Sequence, residues 1–442
     1  MRLTMVGAGY VGLVSGACFA EFGHEVVCVD REAGRIAALE AGHMPIYEPG
    51  LDAAVAEGRR TGRLSFSTEL APAVAGSDAV FIAVGTPLGA DGRADLSFVH
   101  AAAAEVAAAL DGFTIVILKS TVPVGTGDEV EAIIREARPQ AEFAVVSNPE
   151  FLREGAAIDD FKRPDRIVVG TLDPRARAVM TEIYRPLYLQ EAPTLFTDRR
   201  TAELIKYASN AFLATKITFI NEMADLCEQA GANVQDVAIG LGLDHRVGRH
   251  FLQAGPGFGG SCLPKDLLAL VETGERFGAP QRIARVVTEI NTARKAAMAE
   301  KIRGALGGDL SGASIALLGL TFKPGTDDMR EAPSLALIAA LQAAGASVRA
   351  YDPQGMERTR KLTTGVTFAR DAYDCAAGAD VLVLVTEWEE FRALDLERLK
   401  AGLARPIVVD LRNVYSPAEM KSAGFVYASV GRPRSDAPGD SR

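Results

Sequence analysis

Cysteine is scarce in this chain, with five residues among 442, namely Cys18, Cys28, Cys227, Cys262 and Cys375, and no Cys-x-x-Cys pair. An odd, scattered set argues against a disulfide framework and reads as reduced thiols in a cytoplasmic protein. Histidine is equally sparse: His24, His43, His100, His245 and His250 show no metal-ligand spacing, so no metal is expected. Basic charge is in deficit, 47 Lys and Arg against 57 Asp and Glu, which gives a net charge of −10 and no basic stripe for a phosphate backbone. Nucleic acid is therefore not an expected partner. Long apolar runs are missing too: "DAVFIAV" and "ADVLVLV" have strand length, well short of the roughly 20 residues a bilayer crossing needs, so no membrane partner is expected. What remains, 48% hydrophobic and 24% charged residues, describes a globular protein with room for about two or three domains.

The N-terminus is well marked. "RLTMV" is a short β-prone run, followed at once by Gly7-Ala8-Gly9-Tyr10-Val11-Gly12 and an apolar helix pattern that Gly23 stops; "HEVVCVD" then alternates into a second strand ending at Asp30. Strand, GxGxxG turn, helix, strand and terminal acid form a dinucleotide-binding fingerprint. The first glycine makes the turn, the second admits the pyrophosphate, and the third packs helix on strand. The helix N-terminus adds N–H donors and positive dipole for the phosphates. Asp30 would accept from a ribose 2′-hydroxyl and repel a 2′-phosphate, which selects NAD over NADP. Arg35 is read either as a contact at the cofactor edge or as a solvated helix charge. Further strands at "DAVFIAVGTP", "FTIVILKSTVPVGT" and "FAVVSNPE" predict a doubly wound sheet, with Gly85-Thr86, Ser120-Thr121 and Asn148-Pro149-Glu150 at the carboxyl ends where ligands sit.

Thr201 to Gly231 forms a long helix pattern, capped by threonine, ended by glycine and nearly apolar on all sides, which predicts burial between domains or against another subunit. Lys206 and Asn210, four residues apart, share one helix face. From Ser311 the strand–helix alternation restarts, with Asp352 ending a strand as Asp30 does. "GLTFKPGTDD" carries no GxGxxG, so a second dinucleotide is not expected there. Lys323, Arg330 and Arg412, at strand ends or in the loops after them, would suit an anionic ligand. The expected divisions are residues 1–200, 201–300 and 301–432, with a disordered tail at 433–442.

"GPGFGGSCLPKD", Gly255 to Asp266, places Cys262 in a glycine-rich loop between two helical regions, with Lys265 close in sequence. A nearby cation lowers a thiol pKa of about 8.5 and makes Cys262 a candidate nucleophile; an incidental cysteine is the competing reading. A thiolate in a hydride-transfer enzyme can add to an aldehyde and give a thiohemiacetal, which can surrender a second hydride to become a thioester.

Taken together, "GAGYVG", "PIYEPGL", "VGTP", "STVPVGT", "SNPEFLREG", "ELIKYASNAFLATKI", "GPGFGGSCLPKD" and "GLTFKPGTDDMREAPS" resemble the UDP-glucose/GDP-mannose dehydrogenase family over nearly the whole chain. The resemblance implies an α/β fold class, two Rossmann-like doubly wound domains joined by a long central helix and helical region. It implies NAD-dependent, two-step oxidation of a nucleotide-sugar 6-hydroxyl to a carboxylate. By it Cys262 is the nucleophile; Lys206, Asn210 and Asp266 hold the reacting oxygen and a catalytic water; Glu150 serves thioester hydrolysis, and Thr121 positions water. Cofactor contacts carry over to Val11, Asp30, Arg35, Thr86, Thr121, Glu154, Lys265 and Arg330, beside the fingerprint residues Gly7, Gly9, Tyr10 and Gly12. Nucleotide-sugar contacts carry over to Glu150, Phe151, Leu152, Arg153, Glu154, Lys206, Asn210, Phe251, Leu252, Gln253, Ala254, Gly255, Gly259, Lys323 and Arg412, with Arg246 reaching a neighbouring subunit of a homo-oligomer, at least a dimer. Leu263 looks like the GDP-mannose branch, whereas "PIYEPGL", "GPGFGGSC" and "FKPGTDDMREAPS" favour the UDP-glucose branch; "DLRN" replaces the commoner "DGRN" beside Arg412. A one-step dehydrogenase that ignores Cys262 and a non-catalytic nucleotide sensor are the rival readings.

Overall fold

The computed structural model describes residues 1–89 and 92–433; most of the tail expected to be disordered, residues 434–442, lies outside the described residues. The chain divides into two compact units, Met1–Ser209 with Glu272–Ala279, and Asn210–Val271 with Pro280 onward.

The first unit is built on strands β1 (Arg2–Val6), β2 (Glu25–Val29), β3 (Leu64–Ser67), β4 (Ala79–Ile82), β5 (Thr114–Leu118), β6 (Phe143–Ser147), β7 (Ile167–Gly170) and β8 (Thr194–Thr197), in the order β3-β2-β1-β4-β5-β6-β7-β8. Pairing is parallel through β6, turns antiparallel at a single β6–β7 contact, Ser147 to Gly170, and is parallel again between β7 and β8. Successive side chains of a strand point to opposite faces, and here both faces are dry. Phe81, Ile115 and Ile117 enter one core with the helix Tyr10–Glu21, while Val80, Ile82, Val116 and Leu118 enter a second core with the helix Ser97–Ala109.

The second unit repeats the plan with β9 (Ser314–Leu318), β10 (Ser347–Tyr351), β11 (Val366–Phe368), β12 (Val381–Leu384), β13 (Ile407–Asp410) and β14 (Val426–Ser429), in the order β11-β10-β9-β12-β13-β14, parallel throughout. Its strands also alternate between two cores, Ile315, Leu317 and Val383 on one side and Leu318, Leu382 and Leu384 on the other. Both sheets therefore have the doubly wound order with a switch point beside the first strand of each, β1 and β9, where ligands settle at carboxyl ends.

The helix Arg199–Ala230 runs 32 residues, about 48 Å, and joins the two halves of the chain. It corrects the sequence reading at its start. It starts at Arg199, and the cap is Asp198, whose carboxylate accepts from the Thr201 amide at 2.9 Å and hydroxyl at 2.7 Å; an aspartate ahead of the first turn outcompetes the threonine inside it. Within the single chain, Ala202, Tyr207, Ala214, Ile220 and Ala224 are buried, whereas Leu204, Phe212, Phe219 and Leu226 are 45%, 65%, 47% and 59% exposed.

Candidate active site

The turn between β1 and the helix Tyr10–Glu21 is shaped by what it excludes. Gly7 has φ +105°, and a Cβ there would lie 2.6 Å from the Ala83 carbonyl oxygen; a Cβ on Gly12 would lie 1.8 Å from the Gly7 carbonyl. Gly9, by contrast, faces open space, so backbone is presented bare at the middle of the turn. The helix has no side-chain cap and no acid in its first turn, which leaves the amides of Tyr10, Val11 and Gly12 and the dipole for an anion. Asp30 follows β2 and stays partly open to solvent, accepting from the Ala8 amide at 2.8 Å, the Glu32 amide at 3.0 Å and Arg35 Nη1 at 2.8 Å. Burial works against its charge, but the Glu32 and Ala8 amides and Arg35 outweigh it and hold the carboxyl below its usual range. These groups fit a pyrophosphate on the amides and a ribose on Asp30. Arg35 is engaged by Asp30 and Glu32.

Thr86 and Thr121 sit beyond β4 and β5 and are tied together, the Thr86 hydroxyl donating to the Thr121 carbonyl at 2.9 Å. Beyond β6, Glu150 is buried against Lys206 of the long helix, whose Nζ donates to the Glu150 carbonyl at 2.7 Å and to Oε1 at 3.0 Å. An isolated buried charge is too costly to persist, so each ion here depends on the other. Phe151 stacks under Arg166, 3.8 Å from its ring centre, with Lys206 Nζ 5.4 Å away. Leu152 donates its amide to Glu150 Oε2, and Arg153 is held by Asp160. Serine and threonine side chains join Lys206 and Glu203 around a small cavity at the ends of β5 and β6, lined by Ser120, Thr121 and Ser147.

In the second unit, Cys262 caps the helix Leu263–Arg276: its carbonyl accepts the Asp266 amide at 2.8 Å, so the thiol stands at a helix N-terminus, where a thiolate is favoured. It is the partly exposed cysteine; Cys18, Cys28 and Cys375 are buried, and burial pushes each of those thiols up to about 12. Asp266, also buried, accepts from Asn210 Nδ2 at 2.6 Å and from Lys265 Nζ at 2.7 Å. Lys265 is thus paired with Asp266.

The loop before Cys262 is held from both sides by buried polar residues that sequence reasoning missed. Asn221 accepts the Gly255 amide at 2.8 Å, Arg294 donates to the Gly255 carbonyl at 2.7 Å, and Asn291 pairs with both the amide and the carbonyl of Phe258 at 2.8 and 3.0 Å. Their signal was a polar residue recurring within apolar helix patterns. Gly259 lies so close to the loop after β9 that a Cβ would come 2.3 Å from the Glu331 carbonyl, and the Gly260 amide donates to the Arg330 carbonyl at 2.8 Å. Phe251 takes φ +63°; Leu252 and Ala254 are buried, and Gln253 is exposed. Arg412 reaches the Phe322 carbonyl at 3.1 Å and the Val385 carbonyl at 2.8 Å, bracing the segment that carries Lys323. Arg330 pairs with Asp328, and Arg246 with Asp244 on an exposed stretch.

Asp352 stands after β10 as Asp30 stands after β2, yet it is fully buried and its oxygens accept from the Leu320, Thr321, Gln354 and Gly355 amides and Trp388 Nε1. No acceptor is left over for a ribose. The second sheet therefore keeps the plan of a dinucleotide fold without its recognition group.

Among the described residues no helix is long and apolar enough to cross a membrane, and no group of three or more His, Cys, Asp or Glu is placed to hold a metal ion.

One sheet with a working dinucleotide turn and a second without it, and a thiol at a helix N-terminus beside a paired aspartate, define a two-domain nucleotide-dependent dehydrogenase. Three family models match along the chain: the NAD binding domain (residues 1–188), the central domain (200–293) and the UDP binding domain (316–417) of the UDP-glucose/GDP-mannose dehydrogenase family. A Rhizobium meliloti protein named UDP-glucose 6-dehydrogenase is 63% identical over 98% of this chain and 100% of its own, and one of the same name from Pseudomonas aeruginosa is 48% identical over 98% of each. The solved structure of a UDP-glucose dehydrogenase from the hyperthermophilic archaeon Pyrobaculum islandicum superposes with a TM-score of 0.90 at 40% identity, covering 97% of both chains. The chain belongs to the UDP-glucose/GDP-mannose dehydrogenase family, and it is an NAD-dependent dehydrogenase.

Proposed function

We propose that this enzyme oxidises the 6-hydroxyl of UDP-glucose to the carboxylate of UDP-glucuronate in two steps on one site, with the intermediate held on Cys262. The observation that carries this is the placement of Cys262 at a helix N-terminus, one turn ahead of an aspartate already bonded to Asn210 and Lys265. Bound NAD, held by the Gly7–Gly12 turn and Asp30, would accept one hydride in each oxidation.

The chain's own residues account for the rest. Oxidising an alcohol develops negative charge on oxygen, and fixed donors stabilise it; removing one such donor commonly costs ~10²–10³ in rate. Lys206 and Asn210 are buried donors of that kind. An aldehyde cannot lose a hydride until a nucleophile has added, and the Cys262 thiolate adds to C6, its carbonyl oxygen taking up a proton. Loss of the second hydride, with the proton on that oxygen passing to water or Asp266, leaves a thioester, which water attacks to release the carboxylate and return the thiol. Glu150, fixed by Lys206, and Thr121 are the groups proposed to place that water. The loops Phe151–Glu154 and Phe251–Gly259, with Lys323 and Arg412, are proposed to hold the nucleotide sugar, Thr86, Glu154, Lys265 and Arg330 to line the cofactor, and Arg246 to serve a neighbouring subunit.

Support for UDP-glucose comes from the names and identities of the relatives; Leu263 is the feature that favours GDP-mannose. Measuring NADH formation with UDP-glucose, GDP-mannose, UDP-galactose and UDP-N-acetylmannosamine decides. The proposal expects kcat/KM for UDP-glucose to exceed the others at least tenfold, and a preference for GDP-mannose would overturn it. The exposed stripe Leu204, Phe212, Phe219 and Leu226 supports a homo-oligomer, at least a dimer.

A further inference from the structure

Among the motifs in the sequence, "PIYEPGL" has no task in the reaction as described. Its acid, Glu48, is 5% exposed and lies just ahead of the helix Leu51–Arg60. Its backbone is anchored there: the Leu51 amide donates to the Glu48 carbonyl at 3.2 Å, and the Leu51 side chain is fully buried. The carboxylate is thus a fixed point, and its donors come from two places. Tyr10 Oη, in the dinucleotide turn, donates to Oε2. The Gly155 amide donates to Oε2 at 2.6 Å and the Ala157 amide to Oε1 at 2.7 Å, both immediately after the Glu150–Glu154 loop.

A buried carboxylate needs donors on both oxygens, and hydrogen bonds to an ionised group are the strong ones. Here those donors belong to the two loops that the reaction must bring into register, one for the cofactor and one for the sugar. Burial, and then Glu48 itself, push the Tyr10 phenol far above its usual range, so it remains a donor.

We propose that Glu48 is a positioning residue that couples the dinucleotide turn to the Glu150–Glu154 loop, so that ordering the turn also orders the loop. This rests on the reading of the Glu150–Glu154 loop as the sugar-binding loop. Two variants cut the link differently. Glu48→Gln keeps the volume but puts a donor nitrogen where an acceptor is required, whereas Tyr10→Phe removes only the turn side and leaves the Gly155 and Ala157 bonds in place.

The test is hydrogen–deuterium exchange of the amides from 150 to 158 in the full chain, with and without saturating NAD, alongside steady-state kinetics and thermal unfolding. In the wild type, NAD should slow exchange in this stretch about tenfold or more. In Tyr10→Phe and Glu48→Gln the slowing should be lost, with kcat for UDP-glucose reduced about tenfold and its KM raised several-fold. Tyr10→Phe decides the matter if Glu48→Gln does not fold. Persistence of the NAD-dependent slowing in the variants, or unchanged kcat and KM with only a lower unfolding temperature, would overturn the coupling. If the wild type fails to oxidise UDP-glucose, the proposed function fails while the exchange comparison still judges the link.

Discussion

Asp30 and Asp352 occupy the same position in two copies of one plan, and their partners decide what each can do. Asp30 keeps solvent-facing acceptor capacity, so a 2′-phosphate would meet a carboxylate, and a preference for NAD over NADP is the expected outcome. Asp30→Gly removes that repulsion and frees Arg35; the ratio of kcat/KM for NAD over NADP should fall at least tenfold, and an unchanged ratio would show that Asp30 does not read the ribose. Lys119 is a second informative residue. It is buried, with Nζ donating to Asn148 Oδ1 and Tyr184 Oη at 3.0 Å each, and burial pulls its amine down to about 8, with Glu150 opposing the fall and Lys206 adding to it. The folded chain then releases this proton more readily than the unfolded chain. Stability from this group is lowest below pH 8 and recovers as pH rises from about 8 towards 10.5, by at most ~3 kcal/mol. Urea unfolding should show the wild type gaining on Lys119→Met across that interval, and parallel curves for the two proteins would refute it. The GxGxxG turn and Asp30 were legible because their pattern is tied to short spacings in the chain, whereas the roles expected of Lys206, Asn210 and Cys262 came from the family resemblance. Glu48, Asn221, Asn291 and Arg294 were not legible, because their partners are between 33 and 109 residues distant.

At the scale of elements, the Cys262 loop is ordered by helices that flank it in sequence, far from its own residues. Asn291 of the helix Arg282–Leu306 satisfies both backbone groups of Phe258. Asn291→Ala leaves a buried amide and carbonyl without partners, at about 1–3 kcal/mol each. Urea unfolding should show a loss of roughly 2–5 kcal/mol, together with faster alkylation of Cys262 by iodoacetamide; a loss under 1 kcal/mol with unchanged alkylation would mean that the loop holds its shape alone. The long helix was read as apolar all round because periodicity reports composition by face and Leu204, Phe212, Phe219 and Leu226 fill the face left bare. If that stripe is an interface between copies, Phe212→Glu with Phe219→Glu should lower the sedimenting mass at micromolar concentration. A wild-type species of 46.7 kDa under the same conditions would contradict the oligomer.

For the whole molecule, the strand–helix alternation announced two doubly wound sheets, and both are present. The antiparallel junction between β6 and β7 was not foreseen, since a single pairing at Ser147 and Gly170 leaves no local pattern. The central claim is the proposed electron count: conversion of a primary alcohol to a carboxylate removes four electrons, and Cys262 is proposed to hold the substrate between the two oxidations. Counting NADH formed per UDP-glucose consumed, for the wild type and Cys262→Ala in the same assay, tests it most directly. The account predicts two NADH per sugar for the wild type and nearly no UDP-glucuronate from Cys262→Ala, which should still bind UDP-glucose. Two NADH per sugar at near wild-type rate from Cys262→Ala would contradict it.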